Sequence, residues 1–171
     1  MINNSSFDYK PHLKSAYIDP IRTVIVIDDE YPTIDDLISS GKDDFIPENI
    51  ERLQDIIKVS RSSDYNWLLD VYNGKEEKVK EGTVTNRLHH SDLLILDYHL
   101  DGEDSGYCKK SIDIIKNLSC NRNFNIVAVH TKGYNGDKGS VQDVLIDIIV
   151  SLQVRPSLSI ISAGLGNKID E

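Results

Sequence analysis

Cysteine is scarce in this chain: Cys108 and Cys120 are the two among 171 residues, and no CxxC pair occurs. That scarcity excludes a disulfide framework and a sulfur-ligated zinc site, and it fits a reducing, cytoplasmic compartment. Positive charge is also short, with 19 Lys and Arg against 28 Asp and Glu and a formal net charge of −9. So acidic a surface repels a phosphate backbone, and no direct nucleic acid contact is expected. No apolar stretch reaches the length of a membrane span, and the opening "MINNSSFDYKPHLKSAYIDP" lacks the apolar core of a signal peptide. The expectation is a soluble protein with no membrane contact. A glycine-rich phosphate loop ending in Lys and Ser or Thr is missing too, which removes the P-loop nucleotide hydrolases.

What the chain does have is aliphatic runs that end in aspartate. Residues 24–31 read "VIVIDDEY" and residues 93–100 read "LLILDYHL". Val, Ile and Leu uninterrupted by polar residues mark a strand whose sheet is covered on both faces, as in α/β proteins. If the two runs are adjacent parallel strands, Asp28, Asp29 and Asp97 converge at the carboxyl edge of one sheet, where open α/β folds place their chemistry.

Between these runs the pattern alternates. A polar arm broken by Pro11 and Pro20 leads to a strand at about 22–27, with Tyr9 and Tyr17 as candidates to pin the arm down. "YPTIDDLISS" sets Ile34, Leu37 and Ile38 at helical spacing, and "IPENIERLQDIIKVS" sets Ile50, Leu53, Ile56 and Ile57 on one face of a second helix at about 48–59. A strand at about 66–72 closes in an Asn73-Gly74 turn, and the charged stretch 75–90 has poor periodicity. After the strand at 92–96, Cys108, Ile112, Ile115 and Leu118 form one helical stripe, and "NFNIVAVHT" gives another apolar strand. Ser140 is a candidate N-cap for a helix carrying Val141, Val144, Leu145 and Ile148, and "LSII" at 158–161 is a candidate last strand. The order predicts a parallel sheet covered by helices on both faces. The domain division read from it is an arm at 1–20, a globular domain at 21–162, and a tail or linker at 163–171.

Clustered carboxylates repel one another and are comfortable around a divalent cation. Mg²⁺ takes oxygen ligands and keeps several waters, so Asp28, Asp29 and Asp97, with a loop carbonyl such as that of His99, form a sufficient ligand set. Two other readings stand beside it: acids that merely face solvent at strand ends, and a metal-dependent phosphate-ester hydrolase. His99 and His130 near strand ends are candidates to line the acidic pocket, but they have no fixed short spacing, so packing or loop-orienting roles outweigh zinc ligation. Cys108 reads as a small core residue rather than a nucleophile.

The ordered set resembles the receiver domain of two-component response regulators, a CheY-like family. In that family an acidic pair follows the first strand, a phosphate-accepting Asp the third, a Thr or Ser the fourth and a Lys the fifth. Asp28 and Asp29 match the acidic pair, Asp97 the acceptor, and Thr131 the hydroxyl, while "SDLLILDYHLDGEDSG" keeps the loop glycine Gly102 and the next helix start at Gly106. The resemblance implies a doubly wound, flavodoxin-like five-stranded parallel sheet with an extra helix inserted after the first. It also implies a signalling module rather than an enzyme: Asp97 accepts a phosphoryl group from a histidine kinase or phosphotransfer protein with Mg²⁺, and switches a partner, a linked effector domain or a homodimer.

This chain departs from the pattern in three places. Asp29 and Asp97 are 68 positions apart, longer than the family's spacing, with the excess around the helix at 48–59. Asp101 stands where receivers often carry proline. The fifth-strand Lys has no clear match; Lys132, beside Thr131, is the candidate cation, Arg155 is an alternative to it, and Lys168 lies too far along the tail. A receiver lacking that cation is expected either to recruit Lys132 or to act as a phosphorylation-independent interaction or dimerisation module. Tyr134, after Thr131, is a candidate member of the output surface.

Overall fold

The computed structural model describes residues 8–39, 45–74, 88–100, 108–120, 123, 125–131 and 140–153. Four parallel strands, β1 (Thr23–Ile27), β2 (Leu68–Tyr72), β3 (Leu93–Asp97) and β4 (Ile126–His130), form one sheet in the order β2-β1-β3-β4. The chain runs outward from β1 to β2, then crosses back to place β3 on the other side of β1. The carboxyl ends of β1 and β3 therefore flank the point where the winding reverses, the usual ligand crevice of an open α/β sheet. Val24 to Ile27 of β1 lie opposite Leu93 to Leu96 of β3.

Both faces of the sheet are covered, which is why Val24–Ile27 of β1 and Leu93–Leu96 of β3 are aliphatic throughout. Successive side chains point to opposite faces. Ile25, Ile27, Leu94 and Leu96 go to one side, against Ile114, Ile115 and Leu118 of α4 (Lys109–Leu118) and Ile148 and Leu152 of α5 (Val141–Gln153). Val26 and Ile95 go to the other, against Leu53, Ile56 and Ile57 of α3 (Pro47–Ser60), with Tyr31 and Val71. Each fully buried Leu or Ile contributes about 1.5–3 kcal/mol, so these two layers hold the sheet together. Pro47 in the first turn of α3 fits a position whose N–H needs no helical partner.

The helix expected at 48–59 is thus present as α3, with its four apolar residues buried or half-buried. The Ser140 cap is also present: its Oγ accepts the Asp143 N–H at 3.1 Å while Asp143 Oδ2 accepts the Ser140 N–H at 3.2 Å, a reciprocal capping box. A second box, not anticipated from the sequence, joins Thr33 and Asp36 at the start of α2 (Ile34–Ser39).

Other expectations need correction. Ile34 and Ile38 are 59% and 78% exposed; α2 is six residues long and held by its capping box, so its apolar spacing does not become a core stripe. On α5 the inward residues are Val144, Ile148, Ile149 and Leu152, whereas Val141 and Leu145 face out. The arm is helical over Lys10–Ile18, as α1 (Lys10–Leu13) followed by a π turn, and every residue of it is exposed, Tyr9 and Tyr17 included. β2 starts at Leu68, two residues late, because Asn66 adopts φ +53° and the Trp67 N–H donates to the Ser60 carbonyl at 2.7 Å to close the loop from α3. The sheet has four strands among the described residues; the candidate fifth at 158–161 lies outside them, as do 75–87, Asp101, Gly102, Gly106, Lys132, Tyr134, Arg155 and Lys168. No helix among the described residues is long and apolar enough to cross a membrane.

Candidate functional site

Asp28 and Asp97 end their strands by the same local device. The Asp28 N–H still donates to the Tyr72 carbonyl of β2 at 3.1 Å, while Asp28 Oδ1 accepts the Glu30 N–H at 2.9 Å and the Asp28 carbonyl accepts the Tyr31 N–H at 3.2 Å. Asp97 Oδ1 likewise accepts the N–H of His99, two residues on, at 3.2 Å. A carboxylate that bonds its own backbone two positions ahead turns the chain and fixes its remaining oxygen. In both cases the turn comes at the crevice where the winding reverses.

Asp28, Asp29 and Asp97 each offer one oxygen, and these oxygens lie within 4.8 Å of one another. Asp28 and Asp97 are buried and Asp29 is half-buried. Burial pushes the Asp28 carboxyl above the ordinary carboxylate range; the Glu30 N–H opposes the shift and the negative charge of Asp97 adds to it. Negative charge this concentrated and this poorly hydrated calls for a cation, and a donor set made of oxygen alone suits a hard divalent ion.

The residue match of the acid pair and acceptor is accompanied by a match over most of the chain: the model for the response receiver domain covers residues 20–148. The chain belongs to the response receiver domain family. No curated protein and no solved structure gave a significant match. A receiver domain is a signal-transduction module, and the α/β architecture with a parallel sheet is that of the family.

Within this receiver domain, Thr131 follows the last residue of β4 and is half-buried. His99 meets the acids through its N–H, as described above. Cys108 is 3% exposed and packs with Tyr98, Ile112 and Val144, as a core residue should, with its Sγ also 3.4 Å from His99 Nδ1.

His130, one of the two strand-end histidines, joins the acids, and Ser111 is a site residue that the sequence pattern does not indicate. The His130 ring borders both acids, Nε2 3.6 Å from Asp28 Oδ2 and Nδ1 4.0 Å from Asp97 Oδ1. The signal was available in principle, since His130 lies directly opposite Asp97 in the β3/β4 register, but register is a tertiary property. Ser111 of α4 is completely buried and its hydroxyl is shared between the carbonyls of Asp97 at 3.0 Å and Tyr98 at 2.7 Å, anchoring the helix start to the backbone at the end of β3.

Proposed function

We propose that this receiver domain accepts a phosphoryl group on Asp97. The observation that carries the reading is the convergence of the Asp28, Asp29 and Asp97 oxygens within 4.8 Å at the end of β1 and β3. The donor is a phosphohistidine of a histidine kinase or phosphotransfer protein. A carboxylate oxygen of Asp97 attacks phosphorus, the P–O bond of an acyl phosphate forms, the P–N bond breaks, and the imidazole leaves with its electron pair.

Asp28, Asp29 and Asp97, with the carbonyl of His99, would hold Mg²⁺, which when bound offsets charge on the phosphoryl oxygens. Asp28 and Asp29 bring the charge without competing as nucleophiles, because each is directed at the cation position. The turn at Asp97 spends Oδ1 on the His99 N–H and leaves Oδ2 to react. Thr131, one residue past β4, supplies a hydroxyl to a phosphoryl oxygen, and Lys132, next in sequence, supplies the cation. Recruiting Thr131 draws in the loop that follows it and alters the surface read by a partner, a linked effector or a second copy.

Intact-mass measurement after treatment with acetyl phosphate and Mg²⁺ tests the reading. Wild type gains one phosphoryl group and Asp97→Asn gains none. Equal labelling of both proteins, or labelling of neither, contradicts it; with neither labelled, partner binding that persists in Asp97→Asn and without Mg²⁺ would identify a phosphorylation-independent interaction module instead.

A further inference from the structure

We propose that His130 is the N–H donor that receives the phosphoryl group at the mouth of this pocket, an inference that rests on Asp97 being the acceptor. Three observations meet on this side chain. The parallel register sets His130 opposite Asp97, and the Tyr98 N–H donates to the His130 carbonyl at 2.9 Å, so the backbones of the two residues are locked together. The ring nitrogens face one acid each, at 3.6 Å from Asp28 Oδ2 and 4.0 Å from Asp97 Oδ1. The His130 side chain is 44% exposed where those of Asp28 and Asp97 are 6% and 8% exposed, so the ring borders the carboxylates from a solvent-accessible position.

Both separations exceed a direct hydrogen bond, which for N–H to oxygen spans about 2.7–3.2 Å. The ring is therefore close to both acids and committed to neither. A tetrahedral phosphoryl group esterified to Asp97 adds oxygens beyond the carboxylate, and the His130 ring, 4.0 Å from that carboxylate, is placed to meet one of them. Neutral imidazole keeps one N–H and imidazolium two, so a donor exists in either state. A hydrogen bond to a charged phosphoryl oxygen is of the strong, charge-assisted kind. The oxygens of Asp28, Asp29 and Asp97 already converge without the ring, and this favours phosphoryl contact over metal ligation for His130.

The test uses the full chain and beryllium fluoride with Mg²⁺ as the phosphoryl mimic, followed by fluorine NMR, with Mg²⁺ binding alone measured by calorimetry. In His130→Ala the affinity for the mimic is expected to fall about tenfold or more, the loss of one hydrogen bond to a charged group, while Mg²⁺ affinity holds. His130→Lys, which reaches the same place with another N–H donor, is expected to restore much of the loss. His130→Asn, too short to reach, is expected to lose as much as Ala and covers the case in which the Ala protein does not fold. Wild-type binding of the mimic with unchanged affinity in Ala and Asn overturns the role of His130 and leaves Asp97 as acceptor. A parallel fall in Mg²⁺ affinity makes the ring a metal ligand and also overturns it. Failure of wild type to take up the mimic removes the acceptor reading itself, and the His130 proposal with it.

Discussion

Asp28 and Asp97 hold their carboxylates in one cluster at the ends of adjacent parallel strands while only 4% and 6% exposed. Two like charges withdrawn from water at one place destabilise the fold unless something positive joins them. On the proposed reading a bound cation offsets this cost, and that has measurable consequences for stability as well as for activity.

The sign of the first consequence follows from Asp28. Its carboxyl is held above the ordinary range, chiefly by burial. An acid raised on folding binds more protons in the folded state between its unfolded and folded values, so its contribution is largest below the unfolded value and is lost as pH rises through the folded one. Ionised Asp28 therefore costs stability in the metal-free protein at neutral pH. Asp28→Asn, which keeps an oxygen for the Glu30 N–H, is expected to melt higher than wild type in chelator at neutral pH, with the gap closing toward acid. A lower melting temperature at neutral pH would contradict it.

Adding Mg²⁺ is expected to reverse that relation. Binding to the folded state stabilises wild type by about 2.7 kcal/mol when the ion is present at a hundredfold its dissociation constant. Removing it with chelator returns the protein to the lower value. Asp28→Asn and Asp29→Asn each lose a charged ligand, and the Mg²⁺-induced rise in their melting temperatures is expected to be small or absent. A rise as large as that of wild type in both variants means that the ion binds elsewhere.

At the opposite end of the same strands, Asp92 plays a structural part. Its Oδ2 accepts the N–H groups of Arg22 and Thr23 at 2.8 and 2.9 Å and lies 3.0 Å from the Thr23 hydroxyl, so it clasps the start of β3 to the start of β1. Burial works to raise its carboxyl, but these donors together hold it below the ordinary range. A depressed acid contributes stability above its unfolded value and loses it as pH falls through the folded one. Asp92→Ala is expected to cost about 2 kcal/mol at neutral pH, and urea melts of the two proteins should converge in acid. A constant difference down to low pH would refute the clasp.

How much of this was readable in advance depended on range. β1 and β3 were legible because both sheet faces are covered, which forces unbroken aliphatic runs, and the acids were legible because they stop those runs. The Ser140 cap was legible because its partner Asp143 is three residues away. Ile34 and Ile38 misled, since helical spacing says where side chains point on a helix and not whether anything lies opposite. Asp92 and Ser111 were beyond a sequence pattern: Asp92 meets Arg22 across 70 positions and Ser111 meets the Asp97 carbonyl across 14. His130 was visible as a strand-end histidine, yet only strand register tells that the acceptor is beside it. Gly74 lies between these cases. The Asn-Gly turn was predicted, and its φ of +67° agrees, but the additional crowding of any Cβ against Leu100 at 3.2 Å comes from the fold.

Ser111 gives the sharpest separation of stability from function. Its shared hydroxyl is the buried link between α4 and the carbonyls of Asp97 and Tyr98. Ser111→Ala takes that donor from two carbonyls and is expected to cost about 1–3 kcal/mol, comparable to Asp92→Ala. The two losses fall at opposite ends of β3, so their effects on phosphoryl uptake should differ. Freed from α4, the Asp97 backbone can shift relative to Asp28 and Asp29, and a misplacement of this kind slows a reaction that depends on oriented groups. Asp92 is remote from the carboxyl edge and its loss leaves that orientation in place. With both variants held well below their melting temperatures, acetyl phosphate labelling followed by intact mass should be clearly slower for Ser111→Ala than for Asp92→Ala. Equal rates would mean that Ser111 supports the fold without positioning the acceptor.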